Sequence, residues 1–282
     1  MNADQIAKTL STLKSLRSPH ETVWRDCFDH SYPIRGSGFC TEQISAIEAQ
    51  MRKARMIDGT TTDAARILSS GIMSGLTPAN SLWFGMDVGQ ESEDERRWLD
   101  DSADILWQNI HASNFDAAAF EGLIDVVCAG WFALYIDQDM EKGGFTFDLW
   151  PIASVYCSAS KAGGKIDTVY REYKLTAEQA VNEFGEENLS EGTRKLAKEK
   201  PQEMVSFVHA IYPRTTHMVG AKLAKNMPVA SCKVEVEAKR LVSESGYHEM
   251  PVVVPRWMMI PDSVYAVGPV FDALPDSRTL NE

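Results

Sequence analysis

Two dipeptides in this 282-residue chain begin as the zinc site of a metalloprotease begins, His20-Glu21 and His248-Glu249. Such a site needs a second histidine four residues after the first, so that both imidazoles reach the metal from one side of a helix. Here those positions hold Trp24 and Val252, which cannot ligate. Cys27 and His30 are one helical turn apart with Cys40 nearby, but zinc sites bring paired ligands from both ends, and no second pair exists. Asp137-Gln138-Asp139-Met140-Glu141 resembles the opening of a calcium loop. Lys142 stands where that loop needs glycine, and Asp148 where it needs the bidentate glutamate.

Nucleophile and phosphate chemistry fail on spacing as well. Gly71-Ile72-Met73-Ser74-Gly75 has isoleucine where a nucleophile elbow needs glycine, which leaves Ser74 as a packing residue. Gly163-Gly164-Lys165-Ile166 lacks the first glycine and the hydroxyl residue of a phosphate loop and is expected to be a hairpin turn. Between Asp87 and Asp104 there are eight carboxylates against Arg96 and Arg97. A general acid/base pair is conceivable there, but a solvated helix face is the expectation. No catalytic residue, cofactor site or metal site is expected anywhere in the chain.

Composition narrows the class further. Forty acidic against 28 basic residues give a net charge of −12, a surface that repels phosphate backbones. Basic residues do gather at Arg194, Lys195, Lys198 and Lys200, and again at Lys222 and Lys225, without the interleaved aromatics that stack bases. The five cysteines are dispersed and form no CxxC pair, so reduced thiols and a cytoplasmic setting are expected. The longest uncharged apolar run, Val126 to Ile136, is too short to span a membrane, and the N-terminus lacks the pattern of a secretory signal.

Periodicity and breakers supply the elements. Ile6, Leu10, Leu13 and Leu16 form one apolar stripe, and Ser18-Pro19-His20-Glu21 reads as a capping box that starts a second helix burying Val23, Trp24, Cys27 and Phe28. A third helix is expected over Glu42 to Ile57. After the turn Asp58-Gly59-Thr60, a fourth runs from about Thr62 to the Thr77-Pro78 stop, with Ala64, Ile67 or Leu68, Gly71 or Ile72, and Gly75 on one side. Gly71 and Gly75 would leave a groove in which another helix lies close, and Trp83 and Phe84 would anchor the strand that follows. Helices to about Ser113 and over Asn114 to Ala129 complete this half.

From Gly130 the pattern changes to a hairpin, "WFALYID" with "FTFDLWP", and then to short strands at Ser154–Tyr156, Thr168–Tyr173, Met204–Tyr212, Cys232–Glu237 and Arg240–Ser243. Helices opening at Thr176 and Ser190 interrupt them. The order predicts an α+β fold, N-terminal helices followed by mixed helix and antiparallel strand. "YAVGPVFDALPDSRTLNE" ends in what reads as the first turns of an unfinished helix.

Several stretches in order resemble the head-to-tail connecting (portal) proteins of short-tailed bacteriophages: the early helix with Trp24 and Pro33, "RMIDGTTTDAARILSSGIMSGLTPANSLWFGM" from Arg55 to Met86, "PRW" at Pro255 to Trp257, and the closing stretch from Tyr265. Where the family shows a Tyr-Gly-Arg-Gly-Pro run, this chain has Tyr265-Ala266-Val267-Gly268-Pro269, without the arginine. The resemblance implies a wing-like α+β domain over residues 1–262, and a stem helix that begins in 263–282 and is cut short. It also implies a non-catalytic subunit of a dodecameric ring at a capsid vertex, through which double-stranded DNA is packaged and ejected. The implied partners are further copies of the chain, a terminase motor that performs the ATP hydrolysis, and capsid and tail or adaptor proteins. The implied location is the virion, after assembly in the host cytoplasm, with no membrane. Gly71, Gly75, Trp83 and Phe84 become candidate assembly residues. Competing readings are an adaptor or scaffold that forms no conduit, a hydrolase with sequence-distant carboxylates, and a prophage remnant.

Overall fold

The computed structural model describes residues 2–36, 39, 51, 54, 56–89, 92–140, 143–161, 163–217, 220 and 223–281. Helices come first: α1 (Ala3–Asp29), α2 (Thr60–Leu76), α3 (Glu93–Ala112) and α4 (Phe115–Ala129). The predicted hairpin follows as β1 (Ala133–Gln138) and β2 (Phe145–Trp150), paired antiparallel. β3 (Val155–Ser158), β4 (Thr168–Thr176), β5 (Met204–Pro213), β6 (Val229–Glu235) and β7 (Arg240–Tyr247) make a five-stranded antiparallel sheet in chain order. Between β4 and β5 lie α5 (Ala177–Phe184) and α6 (Glu191–Glu199). β8 (Val252–Val253) extends β1, β9 (Met258–Met259) pairs with β10 (Ala266–Val267), and α7 (Pro269–Leu280) follows. This is the α+β order that the sequence predicts.

Caps explain where the inserted helices start. The Thr176 hydroxyl accepts from the Gln179 backbone N–H while the Gln179 side chain accepts from that of Thr176, a complete capping box. Ser190 caps α6, and its hydroxyl and that of Thr193 both donate to the buried Glu235 carboxylate at 2.6 Å. The Gly163-Gly164 stretch is indeed a turn, with the Gly164 N–H donating to the Lys161 carbonyl and Gly163 at φ +67°.

Several expectations are corrected. The break at Ser18-Pro19 is absent: α1 is one helix of 27 residues with Pro19 inside it. Its two halves bury different surfaces. Ile6, Leu10 and Leu13 lie on the five-stranded sheet against Tyr156, Tyr170 and Val208, and Trp24, Cys27 and Phe28 lie in the main core with α4. Burial at both ends outweighs the one backbone hydrogen bond that proline removes. Glu21 does not cap a new helix, because it pairs with Arg17 at 2.7 Å. Leu16, assigned to the apolar stripe, is exposed, and Arg17 is buried in its place. The third helix expected over Glu42 to Ile57 lies almost entirely outside the described residues.

α2 is also turned relative to the expectation. It begins at Thr60, and its buried residues are Thr62, Ala65 and Ser69, one position away from Ala64, Leu68 and Gly71, while Ile72, the alternative to Gly71 on the expected side, packs against the main core. Hydroxyls satisfy that inner face: Thr62 donates to the Ser31 carbonyl at 2.6 Å and Ser69 to the Ala65 carbonyl at 2.8 Å.

The five-stranded sheet holds a buried histidine on its other face. His209 lies edge-on to Tyr135 and tilted against Trp150 of the hairpin, and its Nε2 lies 2.8 Å from the Ser231 hydroxyl. Burial, helped by Lys233 and Arg171, pushes its pKa from 6.5 to about 3. The unfolded chain therefore takes up this proton below about 6.5, whereas the folded chain resists it until near 3. This contribution is complete above pH 6.5 and drains as pH falls, by about 2 kcal/mol at pH 5. His209→Gln is expected to flatten that part of the acid limb in urea unfolding at pH 7.5 and 5. Equal losses in both chains would show that His209 is not its source.

Candidate functional site

Three polar links built from distant residues hold the helices in place. Arg17, 2% exposed, donates to the carbonyls of Ile152 and Val155 at 3.1 and 2.7 Å and lies 4.0 Å over the Tyr156 ring. Arg35 grips the fully buried Asp125 of α4 with two donors, at 2.5 and 2.6 Å. Burial drives the Asp125 carboxyl upward, and Arg35 pulls it back. Trp24 donates to the Ala266 carbonyl at 3.1 Å and stands among the rings of Trp131, Tyr265 and Phe39. The Tyr265 hydroxyl accepts from the Cys157 N–H, which ties β10 to β3.

The C-terminal end of α4 meets the start of α7 at two glycines. Gly130 ends α4 in a left-handed conformation, φ +90°, and a Cβ there would lie 2.3 Å from the Val267 backbone. Across the contact, a Cβ on Gly268 would lie 2.4 Å from the carbonyls of Val126 and Val127. Only glycine lets the two backbones approach this closely.

The four candidate assembly residues separate into two pairs. Gly71 and Gly75 face outward, with nothing within 4 Å of a Cβ at either. Beside them Ile67 is 73% exposed, so among the described residues this side of α2 carries small residues and an exposed aliphatic side chain. Trp83 and Phe84 turn inward. Trp83 donates to His111 Nε2 at 3.2 Å and stacks near Phe115, and His111 in turn contacts Asp116 at 2.9 Å. Phe84 lies edge-on to Trp83 with ring centres 4.8 Å apart.

α3 is held by one side. Leu99 and Ala103 are its buried residues, while Trp98 is 68% and Ile105 60% exposed. Its first turn is acidic, and Ser92 with Glu95 forms a capping box. Among the basic residues seen in sequence, Lys198 pairs with Glu186 at 2.8 Å and Lys195 lies 3.8 Å from Glu199, so part of that cluster is internally balanced. Among the described residues, no group of three or more His, Cys, Asp and Glu is placed to hold a metal ion. No described helix is long and apolar enough to cross a membrane.

Sequence reasoning missed Arg17, Arg35, Asp125 and the Gly130–Gly268 contact. A glycine after a helical run and a Gly-Pro before one are recognisable end and start signals. Nothing local showed that the two ends would touch.

These features define an α+β protein with exposed apolar residues on α2 and α3. Along residues 3–282 the chain matches the family described as bacteriophage head to tail connecting protein, and it belongs to that family. It is 30% identical over 274 residues to a portal protein of Salmonella phage epsilon15, an alignment covering 93% of this chain and 48% of the relative. To a probable portal protein of Bordetella phage BPP-1 it is 26% identical over 275 residues, covering 95% and 49%. The chain thus spans about half the length of the curated relatives it matches.

Proposed function

We propose that this chain supplies the wing-like half of a portal subunit, which assembles with copies of itself into a ring for passage of double-stranded DNA during packaging and ejection. The observation that carries the reading is the family match along residues 3–282, together with the similarity to relatives named as a portal protein and a probable portal protein. In this reading residues 1–262 are the wing and 263–282 begin the stem. Twelve copies surround the channel at a capsid vertex, a separate terminase motor supplies the ATP hydrolysis, and capsid and tail or adaptor proteins contact the ring. The subunit itself is structural and non-catalytic, assembled in the host cytoplasm and retained in the virion. The net charge of −12 supports a conduit, since DNA that must slide cannot be held by many phosphate contacts.

Electron microscopy with light scattering on the same sample tests the reading. Rings with a central hole are expected from the full-length protein. A full-length protein that stays monomeric at high concentration would favour the adaptor without a conduit.

The outer side of α2 supplies a sharper prediction, because its small residues would let a neighbouring copy come close. Gly71→Leu adds a side chain into open space and removes a helix-interior glycine, so the folded chain should gain about 0.5–1 kcal/mol. Assembly should be impaired, by blocked approach. Thermal melting and ring counts on micrographs separate the two effects. Unchanged rings would remove Gly71 from the interface.

A further inference from the structure

α3 offers a ridge of distinct chemistry. Trp98 and Ile105 are seven residues apart and so share a side of the helix, opposite the buried Leu99 and Ala103. Asp94 and Asp101 sit about one turn before and after Trp98, which makes the ridge an exposed aromatic between carboxylates. Tryptophan in such a position is the residue type that most often carries an interface.

The β9–β10 hairpin provides a matching surface elsewhere on the chain. Beside it lies an apolar pocket of about 410 Å³, walled by Val23, Trp24, Met258, Met259 and Phe271. Met259, Ile260 and Pro261 also wall an adjoining pocket of similar volume, lined in addition by Lys161 and Arg256 together with Asp262. An apolar socket next to two cations and one acid complements an aromatic residue flanked by carboxylates.

We propose that Trp98 of one copy enters the β9–β10 pocket of the next copy, with Asp101 facing Lys161 and Arg256. The contact rests on the reading of the chain as a ring subunit. Two α3 ridges facing each other would bring the carboxylates of both copies together, and like charges there repel. Two different patches of one chain in contact make a head-to-tail interface, the type that closes into a ring.

The test uses the protein with Cys40→Ser, which leaves Cys27, Cys128, Cys157 and Cys232 of this sequence, all buried. Ser102→Cys lies one turn from Trp98, and Met258→Cys lines the pocket. Under mild oxidation neither single variant should cross-link to itself, a mixture of the two should give covalent dimers, and the double variant should give a ladder up to ring size. Trp98→Ala should raise the concentration for half-assembly roughly thirty-fold while leaving Tm unchanged, since the side chain is exposed. Wild-type rings combined with no covalent dimers and unaffected Trp98→Ala assembly would overturn the contact and leave the ring standing. Ser102→Cys cross-linking to itself would overturn it in favour of paired α3 helices. Absence of wild-type rings would instead remove the ring reading, and the contact with it.

Discussion

Gly130→Ala is expected to destabilise the chain by roughly 4 kcal/mol or more, among the largest effects available to a single methyl group here. Two costs coincide at this position. The φ of +90° is one that side chains rarely adopt, and the added Cβ would overlap the Val267 backbone at 2.3 Å. Each cost has its own control. Gly89 has the same φ of +90° with nothing within 4 Å, so Gly89→Ala should show the conformational cost alone, about 1 kcal/mol. Gly268 has an ordinary φ of −102° but presses on the carbonyls of Val126 and Val127, so Gly268→Ala should show the collision alone. Urea unfolding of the three variants gives the comparison. A loss at Gly130 no larger than that at Gly89 would mean that α7 moves away from α4 at little cost. In that event the joint is loose, and α7 is free to change direction relative to α4.

The fold class was legible because its signals are local: the run of helices, the capping box at Thr176, the N-cap serine at Ser190, and the turn at Gly163-Gly164. The misplaced break at Pro19 has the same origin, since Ser-Pro-His-Glu carries every local mark of a helix start. Two cores packed against the two halves of α1 overrode it, and neither is visible in a window of a few residues. α2 failed differently. Its helical period was clear, but Ala, Ser, Thr and Gly carry too little hydropathy contrast to show which side is buried, and Thr62 and Ser69 are inside only because their hydroxyls find carbonyls. The outward glycines were recognised as small, and in the described structure a Cβ at either meets open space. Pairings such as Arg35 with Asp125, separated by 90 positions, leave no mark in one sequence. The family resemblance was legible through the order of its motifs, and the match along residues 3–282 supports it.

Arg17→Met should cost about 3–5 kcal/mol, the loss associated with breaking a buried ion pair. The guanidinium satisfies the carbonyls of Ile152 and Val155, pairs with Glu21 and covers the Tyr156 ring, so α1, the β2–β3 connection and the sheet meet at this one side chain. Methionine fills much of the volume but leaves the half-buried Glu21 carboxylate without its partner. Most of the expected cost is that stranded charge, which predicts partial rescue by the double variant Arg17→Met with Glu21→Met. Arg17→Lys should fall between, because one ammonium cannot present the planar fork that reaches both carbonyls and the carboxylate. Urea midpoints for the four chains decide the matter. If the double variant is as unstable as Arg17→Met, the stability resides in the carbonyl contacts, and Arg17 acts as a clasp between α1 and the sheet. If the double variant recovers most of the loss, the pair specifies how α1 lies on the sheet without adding much to stability. The unbroken run of α1 through Pro19 would then depend on its two apolar cores alone.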